Sequence, residues 1–168
     1  MKDKKEVWLR GENVTGISAY LQPAAHALLQ ACEEINGLMK GFPEALLWKS
    51  VAGMATPGFH LKHIAGVLDR LLTYAEGKAL NEDQLDYLKN EQSAGKSLAE
   101  LLAALNTNFE KTIKRFEQFS DADLKAGRGV GRQQLPSTVI GLCFHVAEHT
   151  MRHTGQLLVT VKMLENNL

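Results

Sequence analysis

The sequence predicts an all-α fold, a four-helix bundle with one long crossover loop before the last helix. Three observations carry this expectation. Apolar residues recur at steps of three and four along most of the 168-residue chain, the period of a helix that buries one face. No alternating run bounded by a two-residue hairpin turn marks a strand. Residues suited to starting a helix stand just ahead of the apolar stripes.

The first helix carries Leu21, Ala25, Leu28, Cys32, Ile35 and Met39. Pro23 fits only its opening turn, Gly37 weakens its last turn, and Gly41 lies just beyond its end. A connector from Phe42 to Ala55, with Pro43 and Gly53, holds a short helical piece around Glu44 to Lys49. Thr56 caps the second helix, and Pro57 supplies the fixed φ suited to a first helical position. Its stripe of Leu61, Ile64, Leu68, Leu71 and Ala75 stops at Gly77.

Asn81 to Asn90 reads as a charged link to the third helix. That helix opens on Ser97-Leu98-Ala99-Glu100, a capping box in which two side chains satisfy two orphan amides. It buries Leu98, Leu102, Leu105, Phe109, Ile113 and Phe116. The crossover loop runs from Ser120 to Leu135, and Pro136 or Ser137 opens the last helix. Within the loop, Gly127 to Arg132 superficially suggests a phosphate loop. No strand precedes it, so it reads as a mobile surface loop.

With 45% apolar and 23% charged residues the composition is that of an ordinary globule, and the length fits a single domain over residues 1–168. Nineteen basic residues balance nineteen acidic ones, so no global field draws the chain to nucleic acid or to an anionic membrane. Cys32 and Cys143 sit inside apolar patterns and read as reduced, space-filling thiols. The opening, Met1 to Glu6, is charged and leads to no apolar signal segment. No stretch approaches the ~20 apolar residues of a membrane span. A cytoplasmic protein is expected.

The chemistry lies in the fourth helix. Its stripe runs Val139, Leu142, Val146, His149, His153, Gln156, Thr160 and Met163, so a seam that begins apolar turns polar in its middle. Burying an unpartnered imidazole or amide costs on the order of 1–3 kcal/mol, so these side chains need partners. His149 and His153 are one helical turn apart, which lets two ring nitrogens converge on one ion. A third ligand must come from elsewhere, among His26, His60, His63 and His145. His60 and His63, early in the second helix, can each complete the set.

These residues resemble the DinB/YfiT-like superfamily. The resemblance rests on Phe59-His60-Leu61-Lys62-His63-Ile64-Ala65-Gly66 and, more specifically, on the stretch from Phe144 to Gln156 with its H-x-x-x-H-x-G-Q. Val130-Gly131-Arg132 with Leu135-Pro136 also looks like the approach to the family's last helix, while the first fifty residues diverge. The resemblance implies metal ligands at His63, His149 and His153, with zinc or nickel as the ion. It also implies helices in down-up-up-down order and a homodimer.

Similar proteins include thiol-dependent transferases and hydrolases, alongside many members with no assigned reaction. The function expected is therefore that of a metal-dependent enzyme acting on a small molecule, with a thiol as the candidate substrate. The alternative is a non-catalytic bundle with a structural or vestigial metal, acting as an interaction protein. No catalytic side chain is assigned. Three neutral imidazoles leave a coordination position open, and no Ser/His/Asp order or Cys-x-x-Cys pair offers a competing mechanism. Around the ligands, Gln156 is a candidate to orient one of them. Arg70, seven after His63, is a candidate for an anionic substrate group or a surface salt bridge. His145 stands near the ligands, Glu148 is turned about 100° away from His149, and His26 reads as structural.

Overall fold

A computed structural model describes residues 5–166. Met1 to Lys4, part of the charged opening read above as unlike a leader, and the last two residues lie outside the described residues. The architecture is mainly helical, with five α-helices and a two-stranded hairpin among the described residues.

Helix α1 spans Gln22–Leu38, with Pro23 in its opening turn, where the missing N–H costs nothing. Ala25, Leu28, Ala31 and Ile35 on one face are fully buried. Gly41, at φ +77°, turns the chain after the helix. The connector that follows positions its neighbours. Its short 3-10 turn, Glu44–Leu46, brings the Glu44 carboxylate to accept from Leu98 N at 3.0 Å, and Trp48 packs directly over Gly58.

Helix α2 spans Pro57–Ala75, and the Thr56 hydroxyl accepts from Phe59 N at 3.1 Å, the cap expected. It is buried on most sides. Leu61, Ile64, Leu68 and Leu72 have no exposed surface, and each such side chain stabilises the fold by about 1.5–3 kcal/mol relative to exposure.

The charged link contains a helix that periodicity missed, α3, Glu82–Lys89. Eight residues are too few for a stripe to register, and none is fully buried. Its start is nonetheless fixed by a capping box, with Gln84 N donating to Asn81 Oδ1 at 2.8 Å and Asn81 N to Gln84 Oε1 at 3.1 Å.

Helix α4, Leu98–Phe116, begins on the expected Ser97/Glu100 box, with both halves formed. Its buried line passes through Leu101, Leu105, Phe109, Thr112 and Phe116, so Leu98, Leu102 and Ile113 sit at its margin. Arg115 fixes its register on α2 through Asp69 at 3.0 Å and Glu76 at 2.6 Å.

The crossover region departs from expectation. Strands β1, Gly127–Val130, and β2, Leu135–Thr138, pair antiparallel, Gly127 opposite Thr138 and Val130 opposite Leu135. The Gly-rich segment is therefore ordered strand. Four connecting residues, with Gly131 at φ +68° and Gln134 at φ +49°, make the reversal, so no two-residue turn signals it. Arg128 Nε donates to Ala75 O at 2.7 Å, satisfying a carbonyl at the end of α2. Pro136 and Ser137 belong to β2. Thr138 caps helix α5, Val139–Glu165, by accepting from Gly141 N at 3.1 Å.

Helices α1 and α2 each pack against both α4 and α5. Cys143 is buried and Cys32 half-buried, and both are free thiols. No helix among the described residues is long and apolar enough to cross a membrane.

Candidate metal centre

Packing of α2 along α5 brings His63 to His149 and His153. His63 Nε2 lies 2.9 Å from His149 Nε2. The ring centroids are 5.2 Å apart for His63 and His149, 4.5 Å for His63 and His153, and 4.6 Å for His149 and His153. Each ring offers one nitrogen within 4.8 Å of the other two, an arrangement that can hold a metal ion. Nitrogens on a tetrahedral zinc stand about 3.3 Å apart, against 2.9 Å for the His63–His149 pair.

His60, the rival on α2, lies beside that cluster, against His153. Its Nδ1 meets His153 Nδ1 at 3.0 Å, and its ring is 3% exposed. Burial, and then the neighbouring His63, lower His60 to about 4. Burial likewise lowers His149 to about 4 and His153 to about 3, reinforced by the nearby histidines. All three rings are thus neutral at pH 7, with lone pairs available.

Unpartnered nitrogen tests the fit of an ion. His149 Nδ1 is buried with no hydrogen-bond partner, while His149 Nε2 faces another ring nitrogen. Such a concentration of imidazole nitrogen is costly unless something satisfies it. A divalent cation suits a neutral three-nitrogen set, as found for zinc, nickel, copper and iron.

The sequence reading missed Glu91. It lies just after α3, is 4% exposed, and brings Oε2 within 2.7 Å of His63 Nδ1. Its other oxygen, Oε1, forms an ion pair with Arg70 Nη1 at 2.7 Å, outside hydrogen-bond alignment. Arg70 is buried as well, so it is not a surface salt bridge, and it shares the wall of a cleft with His63 and His149. The loop carrying Glu91 is tied to α2. Lys62 Nζ donates to Ser93 O at 2.9 Å and to Asn90 O, and Tyr87 Oη donates to Lys62 O at 3.0 Å. Gly66 makes room, since a β-carbon there would sit 2.5 Å from Glu91 Oε1 and closer still to Arg70 Nη1. Phe59 stacks on His63 with centroids 5.2 Å apart.

The remaining candidates fall outside the trio. His145 is exposed and pairs with Glu148 at 2.8 Å, and Glu148 also holds Arg152 at 2.6 Å. With His149 these two form a second, more exposed group of potential ligands. His26 Nε2 contacts Glu12 O at 3.0 Å, a structural role. Gln156 joins His60 and Arg152 in the wall of a cavity of about 580 Å³. A smaller cleft, about 230 Å³, reaches His63 and His149 between Val67, Leu71, Leu80 and Leu88.

A family model described as the DinB superfamily matches residues 26–157, which contain every residue of the trio. Solved structures share the fold. A Streptococcus pneumoniae structural-genomics protein is 19% identical, covering 89% of this chain and 93% of its own, with a TM-score of 0.66. An uncharacterized protein from Clostridium difficile 630 is 18% identical, covering 89% of this chain and 98% of its own, with a TM-score of 0.66. A conserved Enterococcus faecalis protein is 13% identical, covering 86% of this chain and 96% of its own, with a TM-score of 0.71. At these identities the likeness is one of fold. No curated protein matches at a significant level.

Proposed function

Because this chain belongs to the DinB superfamily, we propose that it is a metal-dependent enzyme acting on a small molecule, by thiol transfer or hydrolysis, with the ion held by His63, His149 and His153. The observation that carries the proposal is the convergence of three imidazoles, two of them held neutral by burial. On this reading α1, α2, α4 and α5 are the family's four-helix bundle, and α3 and the hairpin are additions to it. The ion is zinc or nickel, and the protein is cytoplasmic, in keeping with its two free thiols.

When bound, the ion supplies a Lewis acid that draws electron density from an oxygen or sulfur of the substrate. The chain's own residues do the rest. His63, His149 and His153 would hold the ion, and His63 and His149 also border the cleft through which a small molecule would approach. Val67, Leu71 and Leu80 line that cleft, shielding a bound molecule from water and strengthening polar interactions within it. Leu88, which is exposed, also lines it.

The test is elemental analysis of protein purified without an affinity tag, followed by thiol-transfer and ester-hydrolysis assays before and after chelation. One equivalent of metal, and turnover that disappears on chelation and returns on adding zinc, nickel or manganese, is expected. Full turnover in folded, metal-free protein would refute the proposal. If the metal-free chain is unfolded, the ion is structural and the interaction reading gains.

A further inference from the structure

We infer that Glu91, braced by Arg70, is a positioning residue that fixes the proton of His63 on Nδ1 and so aims a bare Nε2 at the other two histidines. The inference rests on the reading of His63 as a metal ligand. A carboxylate can only accept, so the 2.7 Å contact between Glu91 Oε2 and His63 Nδ1 makes Nδ1 the donor. A neutral imidazole has one ring proton, and placing it on Nδ1 leaves Nε2 with a free lone pair. That atom faces His149 Nε2 at 2.9 Å.

Arg70 gives the device its charge. A carboxylate buried to 4% exposure is costly without a partner, and the Arg70 guanidinium at 2.7 Å from Oε1 supplies one. The ion pair also occupies the second oxygen, so Oε2 is left for His63. Gly66, through the β-carbon it lacks, and the Lys62 and Tyr87 contacts hold Glu91 in place. The other ligands are treated differently. His153 has a neutral ring, His60, against its Nδ1, and His149 Nδ1 has no partner. A carboxylate therefore accepts a hydrogen bond from one proposed ligand, the one contributed by α2, and orients it.

The test is the tautomer of His63, read by long-range proton–nitrogen correlation in metal-free, ¹⁵N-histidine-labelled protein at a mildly alkaline pH. The wild type is expected to carry the proton on Nδ1. In the Arg70→Met/Glu91→Ala double variant, which strands no buried charge, it moves to Nε2, and zinc affinity by chelator competition falls about 10–100-fold. Glu91→Gln, which keeps an accepting oxygen, retains the Nδ1 proton and loses less affinity. A wild-type His63 protonated on Nε2, or unchanged zinc affinity in a double variant with native circular dichroism, would overturn the inference. A wild type with the Nδ1 proton that binds no zinc supports the positioning role and overturns the metal-dependent function instead.

Discussion

His60 and His153 meet through like atoms, Nδ1 to Nδ1 at 3.0 Å, so one of the two rings must donate and the other accept. If His153 gives its Nε2 to the ion, its Nδ1 carries the proton and His60 accepts it. The two residues should then respond differently to substitution. His153→Ala abolishes stoichiometric metal while most of the helical signal survives, whereas His60→Phe keeps one metal per chain at saturation and weakens its affinity about 10–100-fold. Elemental analysis and chelator competition distinguish them. Loss of stoichiometric metal in His60→Phe would make His60 a ligand.

Acid should destabilise the metal-free protein earlier than its carboxylates alone would. His60 and His149 titrate near 4 and His153 near 3 in the fold, against about 6.5 in an unfolded chain. As pH falls below about 6.5 the unfolded state takes up protons that the folded state refuses, so unfolding is favoured. The stability these rings contribute is fully present above about pH 6.5 and is lost as pH falls through 4 and 3. Urea unfolding at stepped pH should show a decline beginning below 6.5, and a shallower one in His60→Phe. Equal slopes in the two proteins over pH 6.5 to 4.5 would contradict the assignment.

Gly66→Ala should damage the centre without touching a ligand. The added β-carbon meets Glu91 Oε1 at 2.5 Å and crowds Arg70 Nη1, so the Arg70–Glu91 pair must shift to admit it. A loss of about 1–3 kcal/mol in urea unfolding is expected from such overpacking, with weaker zinc binding. Unchanged values for both would mean that the Arg70–Glu91 pair moves aside freely.

Neither cysteine should serve as a nucleophile. Burial raises Cys143 to about 12 and also raises Cys32, so little thiolate forms at neutral pH. Cys32→Ser combined with Cys143→Ala should spare turnover apart from a modest stability loss. In the folded protein Cys143 should resist a thiol reagent that modifies it rapidly once urea is added. Turnover lost in a folded double variant would show thiol chemistry by the protein itself.

A homodimer is expected from the family resemblance, and α5 offers a surface for it. Ile140, Phe144, Leu158 and Val159 are exposed along that helix, Phe144 by 65%. Light scattering at about tens of micromolar should give twice the chain mass, and Phe144→Glu should shift it toward monomer by placing a charge in the contact. A wild-type monomer under those conditions would remove the expectation.

Legibility in the sequence followed the range of the interaction. Thr56 with Pro57, and Ser97 with Glu100, are local devices, and both fixed their helix starts where expected. Asn81 and Gln84 form the same kind of box, but the charge around them masked it. The hairpin was hidden by its four-residue turn and by polar positions such as Arg128 and Ser137. Spacing could not separate His60 from His63, which lie one turn apart. What separates them is which ring each faces on α5. Glu91 gave no local signal at all, since its importance comes from His63, 28 positions earlier.

The proposed ligands come from helices joined only through most of the intervening chain, with His63 and His149 separated by 86 positions. An ion bridging them would act as a cross-link as well as a reagent. Closing a loop of that length removes about 4–5 kcal/mol of chain entropy from the unfolded state in a simple loop-closure estimate. The same bond requires α2 and α5 to be docked, so ion binding and the docking of these helices would be coupled. Under the proposed metal-binding reading, a cell short of the ion would hold less of the protein, because the metal-free chain would be less stable and more readily degraded.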